Sequence, residues 1–165
     1  MELIAAELER IYDSDGTKLY RSALAVTGCG SLAEDAVHNA FSKAFRLGKR
    51  PGNVRAYLFR SVRNAAIDLM RSRNRTVPIT AEMIFECAPD QLDQVVRRER
   101  LDRVSAALTE LTSDERETVV QYLVAQLTFQ EIADLRGRPM GTVTSWYRRG
   151  LRKLKGLVND DEEFI

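Results

Sequence analysis

The sequence has few of the residues that build metal centres, disulfide frameworks or membrane spans. Its 165 residues include two cysteines, one histidine and one tryptophan. Cys29 and Cys87 are too few for a disulfide framework and neither belongs to a CxxC pair, which favours a reducing compartment. No apolar run approaches the roughly 20 residues of a transmembrane helix, and the acidic N-terminal stretch is unlike a secretion signal. We therefore expect a cytoplasmic protein.

Signatures of catalysis are missing as well. The sequence lacks a phosphate-binding glycine loop, a cluster of metal ligands and a nucleophile motif. His38 lies among carboxylates, but no second histidine or paired cysteine stands at ligand spacing, so a surface or partner-contacting role is the simpler interpretation. We expect no enzyme activity, no cofactor and no metal.

Charge is nearly balanced overall but strongly segregated along the chain. There are 25 basic and 24 acidic residues. Residues 43–75 contain ten basic residues and a single acidic one, Asp68. Residues 76–96 contain four acidic residues, no basic one and no clear period. This arrangement predicts a polyanion contacted in two places, with an acidic interdomain linker between them.

Residues 128–156 have the pattern of two short helices joined by a tight turn. Thr128 and Glu131 have the spacing of a capping box, in which each side chain bonds the other residue's backbone N–H. Gly137 suits the left-handed residue after a helix, and Pro139 suits the first turn of the next one. The pattern predicts a helix-turn-helix, whose second helix fits the major groove of DNA.

The second helix of this hairpin separates apolar from basic side chains. From residue 138 to residue 155 there are six basic residues and no acidic one. Arginines on such a face can pair bidentately with guanine edges, each good pair giving about 1–3 kcal/mol of discrimination. An amphipathic hairpin with a solvated basic face is the alternative. We expect Val143, Tyr147, Gly150 and Leu154 to pack inward, and Thr144, Ser145, Trp146, Arg148, Arg149, Arg152 and Lys153 to face outward.

The rest of the pattern is helical, with no strand-like alternation of useful length. We expect helices at residues 2–12 and 17–27 with a turn at 13–16 between them. A further helix is expected to start from a capping box at residues 31–34 and to turn Phe45 inward. The fold class is therefore expected to be all-α, with two small helical bundles joined by a flexible linker.

Another helix is expected over residues 54–73, capped by Asn53. It places aromatic residues among arginines, and any base can stack on an aromatic ring at about 1–3 kcal/mol, which suits single-stranded DNA. The alternative is that Tyr57 and Phe59 belong to the core while the arginines are merely solvated. We favour the core for Phe59 and leave both interpretations open for Tyr57.

Three stretches resemble extracytoplasmic-function sigma factors, the small two-domain members of the bacterial sigma family. Residues 33–46, AEDAVHNAFSKAFR, are similar to the core-binding helix of the family's second region. Residues 54–75, VRAYLFRSVRNAAIDLMRSRNR, are similar to the helix that melts and reads the minus-ten element. Residues 131–154, EIADLRGRPMGTVTSWYRRGLRKL, are similar to the helix-turn-helix that reads the minus-thirty-five element. All three occur in the family's order, over nearly the whole chain.

The resemblance implies a transcription initiation factor that binds core RNA polymerase and directs it to promoters. Residues 1–75 would form the domain for core polymerase and the minus-ten element, and residues 97–165 the helix-turn-helix domain. Residues 76–96 would be the linker, threading the polymerase channel with carboxylates in place of RNA phosphates. The implied partners are core RNA polymerase, promoter DNA as duplex and as melted strand, and an anti-sigma protein.

The implied site residues fall into three sets. The recognition set, expected on the upstream duplex, is Thr144, Ser145, Trp146, Arg148, Arg149 and Arg152. The single-strand set, expected on the melted downstream strand or around its flipped base, is Lys49, Arg50, Asn53, Tyr57, Arg60, Arg63 and Asn64. The polymerase set is Asp35, His38, Asn39 and Phe41.

Several positions depart from the family's usual residues. On the polymerase-binding helix, His38 and Asn39 stand where Gln and Glu are common, and on the following helix Tyr57 stands where Trp is frequent. On the recognition helix, Trp146 replaces a common Arg and Gly150 replaces a common Ala, so the promoter sequence cannot be copied from relatives. The main alternative is a helix-turn-helix repressor or response regulator that binds duplex DNA without polymerase, usually as a dimer. A helical adaptor is a weaker alternative, because the charges are segregated.

Overall fold

Seven α-helices account for most of the residues that the structure, a computed structural model, describes: 2–73 and 94–158. An all-α fold is confirmed for these residues. None of their helices combines the length and the apolar character that crossing a membrane requires. In chain order they are α1 (Glu2–Thr27), α2 (Gly30–Phe45), α3 (Val54–Arg73), α4 (Gln94–Thr109), α5 (Ser113–Leu123), α6 (Phe129–Arg136) and α7 (Met140–Val158).

The first helix runs straight through the stretch for which a turn is predicted. Residues 13–16 are helical, so that prediction is wrong. Asp15 is buried, and its carboxylate pairs with Nε of Arg55 at 3.1 Å. A Cβ added at Gly16 would stand 3.9 Å from Cδ2 of Tyr12, one helical turn earlier. The tertiary contact of Asp15 with Arg55 outweighs the local preference of Asp, Ser and Gly for a turn.

The connection to α2 also differs from the prediction. Gly28 has a left-handed φ of 58° and ends α1, so the chain re-enters a helix at Gly30. Cys29 occupies the N-cap position without a side-chain capping bond, and the predicted capping box at residues 31–34 is wrong. By contrast, Asn53 caps α3 as predicted, because its Oδ1 accepts the Ala56 N–H at 2.9 Å.

Helices α1, α2 and α3 each pack against the other two and form the N-terminal bundle. Small residues on α2, including Ala33, Ala36 and Ala40, are buried and let its neighbours approach closely. Phe59 is 4% exposed, which confirms its core assignment. Phe45 ends α2 and is 53% exposed, so the prediction that it faces inward is wrong.

Helices α4 to α7 form the C-terminal bundle, in which α7 packs against the other three. Gly150 brings α7 close to α5: a Cβ there would stand 2.8 Å from Cγ2 of Val119. The two bundles touch, α1 against α5 and α3 against α6. The predicted linker lies outside the described residues except for its last three, which begin α4. The domain boundaries stay a prediction.

Candidate nucleic-acid interface

The hairpin of α6 and α7 has the local geometry that its sequence predicts. The Glu131 N–H donates to Oγ1 of Thr128 at 3.1 Å, and the Thr128 N–H donates to Oε2 of Glu131 at 2.8 Å, which completes the capping box. Gly137 adopts φ 60° and ψ 39°, the left-handed cap. Pro139 directly precedes α7, and its carbonyl accepts the Val143 N–H at 3.2 Å. The predicted helix-turn-helix is confirmed as a local structure.

The rear of α7 is held by aromatic and aliphatic packing. Val143 is fully buried and Gly150 is buried against α5. The Tyr147 ring lies 4.7 Å from the Tyr122 ring and 5.2 Å from the Phe129 ring, measured between centroids. Burial, and then the neighbouring Tyr122, raise the pKa of the Tyr147 hydroxyl. This packing sets the rotation of α7 and therefore which side chains face solvent.

Most of the recognition set lies on the outer face of α7. Ser145, Arg148, Arg149 and Arg152 are exposed. Thr144 is half-buried and donates its hydroxyl to the Gly141 carbonyl at 3.1 Å. Four polar side chains, three of them arginines, therefore share one solvent-facing surface.

Lys153 is exposed as predicted but bound to a carboxylate, whereas Trp146 is not part of this open surface. Lys153 reaches back to Glu115, with Nζ 2.7 Å from Oε2. Trp146 is half-buried, with the Arg136 guanidinium 4.6 Å from the ring centroid, so the prediction that it faces outward is wrong. The side chain of Arg136 is only 3% exposed and pairs with Asp114 and the Thr118 hydroxyl. Because Arg136 lies on the other helix of the hairpin, the periodicity of α7 could not reveal this contact.

The loop residues of the single-strand set are placed at the start of α3. Lys49 is exposed. Arg50 pairs with Glu7 of α1, its Nε 2.8 Å and its Nη2 2.7 Å from the same carboxylate oxygen. Asn53 uses its side-chain oxygen for the cap of α3. Arg50 and Asn53 are therefore both held by contacts within the N-terminal bundle.

The helical residues of the single-strand set point in two directions. Arg60 and Asn64 are exposed, whereas Tyr57 is half-buried against the core. Arg63 turns toward the C-terminal bundle, where its Nε lies 2.7 Å from Oε1 of Glu117. The structure therefore does not bring the whole set onto one open face.

Arg55 is a basic residue of this region that sequence reasoning missed. It pairs with Asp15 of α1 and with Glu131 of α6, and its guanidinium lies 4.9 Å from the Phe59 ring centroid. Burial opposes its charge, but the hydrogen bonds to Asp15 and Glu131 raise the pKa of Arg55. These carboxylates are 40 and 76 residues away along the chain, so no local pattern indicates them.

The polymerase set lies on α2 beside an aromatic groove. Asp35, His38 and Asn39 are exposed and Phe41 is half-buried. A groove of about 700 Å³ runs between α1 and α2, lined in part by His38, Phe41 and Tyr12, which is 60% exposed. Sequence reasoning missed Tyr12, whose ring meets Phe41 edge-on at 5.5 Å. Within the described part of the chain, no group of three His, Cys, Asp or Glu residues is arranged to hold a metal.

Both bundles match known protein families. The profile of Sigma-70 region 2 matches residues 11–76, and that of Sigma-70 region 4 matches residues 101–154. The chain is 30% identical over 161 residues to the ECF RNA polymerase sigma factor SigL of Mycobacterium tuberculosis, covering 92% of this chain and 88% of SigL. It is 33% identical over 140 residues to the RNA polymerase sigma factor CarQ of Myxococcus xanthus, covering 81% and 78%.

The solved structures that share the fold include two complexes. One is the sigma factor RpoE in complex with the anti-sigma factor NepR from Bartonella quintana, with a TM-score of 0.64, 21% identity and coverage of 98% of this chain and 99% of that one. The other is CnrH in complex with the cytosolic domain of CnrY, with a TM-score of 0.63, 23% identity and coverage of 93% and 88%. At these identities the likeness concerns the fold.

Proposed function

Because the chain belongs to the extracytoplasmic-function (ECF) RNA polymerase sigma factors and is a promoter-specific transcription initiation factor, we propose that it contacts promoter DNA through two separate surfaces. The recognition set binds the upstream duplex element. The single-strand set holds the melted downstream strand. Core RNA polymerase, acting in the cytoplasm, joins the two contacts and supplies the catalytic machinery.

The proposal depends mainly on one observation, the exposure of basic side chains on the outer face of α7. Arg148, Arg149 and Arg152 project from one side of a helix whose opposite side is packed in its own bundle. Residues 138–155 contain no acidic residue that would compete for these arginines. A major groove accepts such a helix, and guanidinium groups suit both phosphates and guanine edges.

The melted strand has a different chemistry, because its bases are free to stack. Arg60 and Asn64 are exposed on α3, with Tyr57 beside them. Arginine and tyrosine on one surface suit phosphates and unstacked bases together. Unstacking a base costs a few kcal/mol, least where a pocket receives it. Tethering both surfaces to polymerase makes the second DNA contact effectively intramolecular.

The groove between α1 and α2 is the surface that we assign to core polymerase. Exposed Tyr12 and half-buried Phe41 supply apolar area, and exposed His38 supplies a polar edge. An anti-sigma protein is a further partner, since two of the solved structures that share the fold are complexes with another protein, named as an anti-sigma factor in one of them.

In vitro transcription tests the function. Purified core polymerase is supplied with a library of genomic fragments, with and without this protein, and the 5′ ends of the transcripts are mapped. We expect start sites that appear only when the protein is present. Binding of duplex DNA as a dimer, with no new start sites, would instead support the repressor alternative.

The role of the recognition set is tested with Arg149→Ala. Loss of one guanine or phosphate contact should weaken use of the upstream element roughly tenfold. That factor lies within the free energy usually contributed by one bidentate pair. Core polymerase binding, measured by co-migration, should be unchanged. Arg98→Ala, which removes an exposed arginine from α4, is the matched control. Equal loss of promoter use and of polymerase binding would contradict the assignment.

A further inference from the structure

Arg136 is a buried arginine at the turn of the helix-turn-helix. It is the last residue of α6, directly before the left-handed Gly137, and yet its side chain is only 3% exposed. An arginine is rarely buried unless charged or polar groups pair with it, because its charge is costly to remove from water. The role of Arg136 therefore follows from the groups that surround its guanidinium.

Helix α5 supplies the hydrogen-bond partners of this guanidinium from one face. Nη1 of Arg136 donates to Oγ1 of Thr118 at 3.0 Å and to the Asp114 carbonyl oxygen at 3.4 Å. Nη2 pairs with the Asp114 carboxylate and lies 3.4 Å from Oε2 of Glu117. The three partners are neighbours on the surface of α5, because they are three and four positions apart. The guanidinium is therefore held in one place against α5.

One donor of the same guanidinium is left without a partner. Nε of Arg136 is buried and makes no hydrogen bond within the described part of the chain, which lowers stability. The orientation that incurs this cost places the guanidinium carbon over the Trp146 ring, 4.6 Å from its centroid. A cation over the face of a tryptophan is attracted by the ring. The contact with α7 is what this orientation gains.

Trp146 lies where the buried and the exposed sides of α7 meet. It is half-buried, whereas Ser145 before it and Arg149 three residues later are exposed. Three residues turn a helix through about 300°, so Arg149 and Trp146 are only about 60° apart around the axis. On the buried side, the Tyr147 ring packs against other aromatic rings of the bundle. The contact of Trp146 with Arg136 therefore fixes the rotation of α7 beside the exposed side chains.

This rotation matters more for reading bases than for attraction to DNA. A base edge is read by paired hydrogen bonds, and groups in a binding site must be held within about 0.5 Å and 10–20° of the productive geometry. Phosphate contacts supply affinity without direct sequence information, and flexible arginines reach phosphates in many rotamers. A recognition helix that turned slightly would keep its affinity for duplex DNA and lose its preference among sequences.

We propose that Arg136 is a positioning residue for upstream recognition: held by α5, its guanidinium fixes the Trp146 ring, and with it the rotation of α7 that aims the exposed arginines of the recognition set at base edges. This inference rests on the proposed role of the recognition set on the upstream duplex. Because its side chain is buried, Arg136 acts on DNA only through α7. It contributes to the choice of promoter and not to the affinity for DNA as such.

The test uses the holoenzyme, formed from core polymerase and the full chain, on a pool of duplex DNA randomised upstream of a start site mapped with the unaltered protein. Sequencing of the bound fraction gives the preference, defined as the enrichment of the best sequence over the median one. Arg136→Met keeps an unbranched side chain but removes the guanidinium, and it should lower the preference roughly tenfold, within the discrimination of one bidentate pair. Affinity for a duplex of unrelated sequence, and its dependence on salt, should be unchanged. Arg98→Met makes the same change at an exposed position of α4 and should alter neither quantity.

Fluorescence of the free protein measures the position of the ring directly, because Trp146 is the only tryptophan in the sequence. In the unaltered protein, the anisotropy of this fluorescence should decay only with the tumbling of the folded bundle. Arg136→Met should add a fast component, since side chains without a fixed contact move within picoseconds to nanoseconds. A loss of stability alone would not free the ring in the folded protein.

A second variant guards against misfolding, although Arg136→Met leaves no buried charge alone. The Asp114 side chain is 53% exposed, and Glu117 keeps its bonds to Gln121 and Arg63. Arg136→Lys keeps the positive charge but lacks the rigid fork of donors, so it should shift both readouts in the same direction. It carries the test alone if Arg136→Met loses its helical circular dichroism. Unchanged preference in the folded variants would overturn the positioning role.

Combination with Trp146→Ala shows whether Arg136 acts through the ring. Trp146→Ala should lower the preference by a similar factor, and the addition of Arg136→Met should lower it no further. If the two losses multiplied, the residues would act independently, and the positioning role would be wrong.

Failure of the positioning role and failure of the proposed function give different results. If the holoenzyme starts transcription at specific sites but Arg136→Met discriminates among upstream sequences as strongly as Arg98→Met, only the positioning role is wrong. If the unaltered protein directs no initiation, the proposed function is wrong whatever the fluorescence shows.

Discussion

The recognition set and the single-strand set are both rich in arginine, yet they differ in what surrounds them. On α7 the carboxylate of Glu115 binds Lys153, and the arginines of the outer face are exposed to solvent. On α3 the carboxylates Glu117 and Glu131 approach from the other bundle and bind Arg63 and Arg55. The availability of a basic surface therefore depends on where the acidic residues of the fold are placed.

The difference decides which arginines are available while the bundles are in contact. The outer face of α7 is exposed and can meet the upstream duplex. On α3, Arg60 and Asn64 are exposed as well, whereas Arg63 and Arg55 are bound by carboxylates of the C-terminal bundle.

The largest effect is expected where α7 is fixed in its bundle. Gly150→Val should lower the free energy of unfolding by about 3 kcal/mol, at the upper end of overpacking costs. The reason is that a Cβ there would stand 2.8 Å from Cγ2 of Val119 and 3.2 Å from Cδ2 of Leu111. The free energy of unfolding is measured by urea denaturation, followed by circular dichroism.

Gly156→Val is the matched control, because described neighbours leave open space around that glycine on the same helix. Valine is a slightly better helix former than glycine, so Gly156→Val should not destabilise the protein. Similar destabilisation by both variants would mean that the approach of α7 to α5 does not govern the result. The recognition set would then not depend on this contact for its orientation.

A smaller effect is expected from Trp146→Ala. Because the ring is half-buried and covered by the Arg136 guanidinium, its loss should cost about 2 kcal/mol of stability, less than for a fully buried tryptophan. Arg148→Ala should instead weaken duplex binding and leave stability unchanged. If Trp146→Ala instead kept its stability and lost duplex binding, Trp146 would belong to the exposed part of the recognition set.

The smallest effect is expected from pH acting on the carboxylates around Arg55. Burial raises the pKa of Asp15 and of Glu131, but hydrogen bonds, including those from Arg55, outweigh it and hold both below their ordinary values of 3.8 and 4.5. Lys18 and Thr128 contribute in the same direction. Only Glu131 joins the two bundles, because Asp15 and Arg55 lie in the same one. The contribution of Glu131 to the contact between the bundles is complete above 4.5 and is lost as the pH falls through its lowered pKa.

Small-angle scattering between pH 7 and pH 3, with circular dichroism to follow helix content, measures this dependence. The radius of gyration should stay constant down to about pH 4.5 and rise below it. Arg55→Gln should flatten the acid-dependent rise, whereas Arg50→Gln, whose partner Glu7 lies in the same bundle, should not. Opening between pH 7 and pH 5 would show that other groups control the contact.

The parts of the structure that the sequence predicts well depend on residues a few positions apart. The capping box at Thr128, the left-handed Gly137 and the cap at Asn53 each involve groups within four residues of one another. The parts that it predicts wrongly depend on distant partners. Asp15 stays helical because it meets Arg55, and Trp146 is half-buried because it meets Arg136. Neither contact can be inferred from the spacing of residues along a helix.

For this protein the sequence alone determined most of the helices, the hairpin, the family and the signs of its charged stretches, because each follows from composition or from spacing along a few helical turns. Only the tertiary structure decided which arginines face solvent and which are bound by carboxylates. Arg63 and Glu117 are 54 residues apart in the chain and 2.7 Å apart in space. Electrostatic pairing depends on the distance in space and not on the separation along the chain.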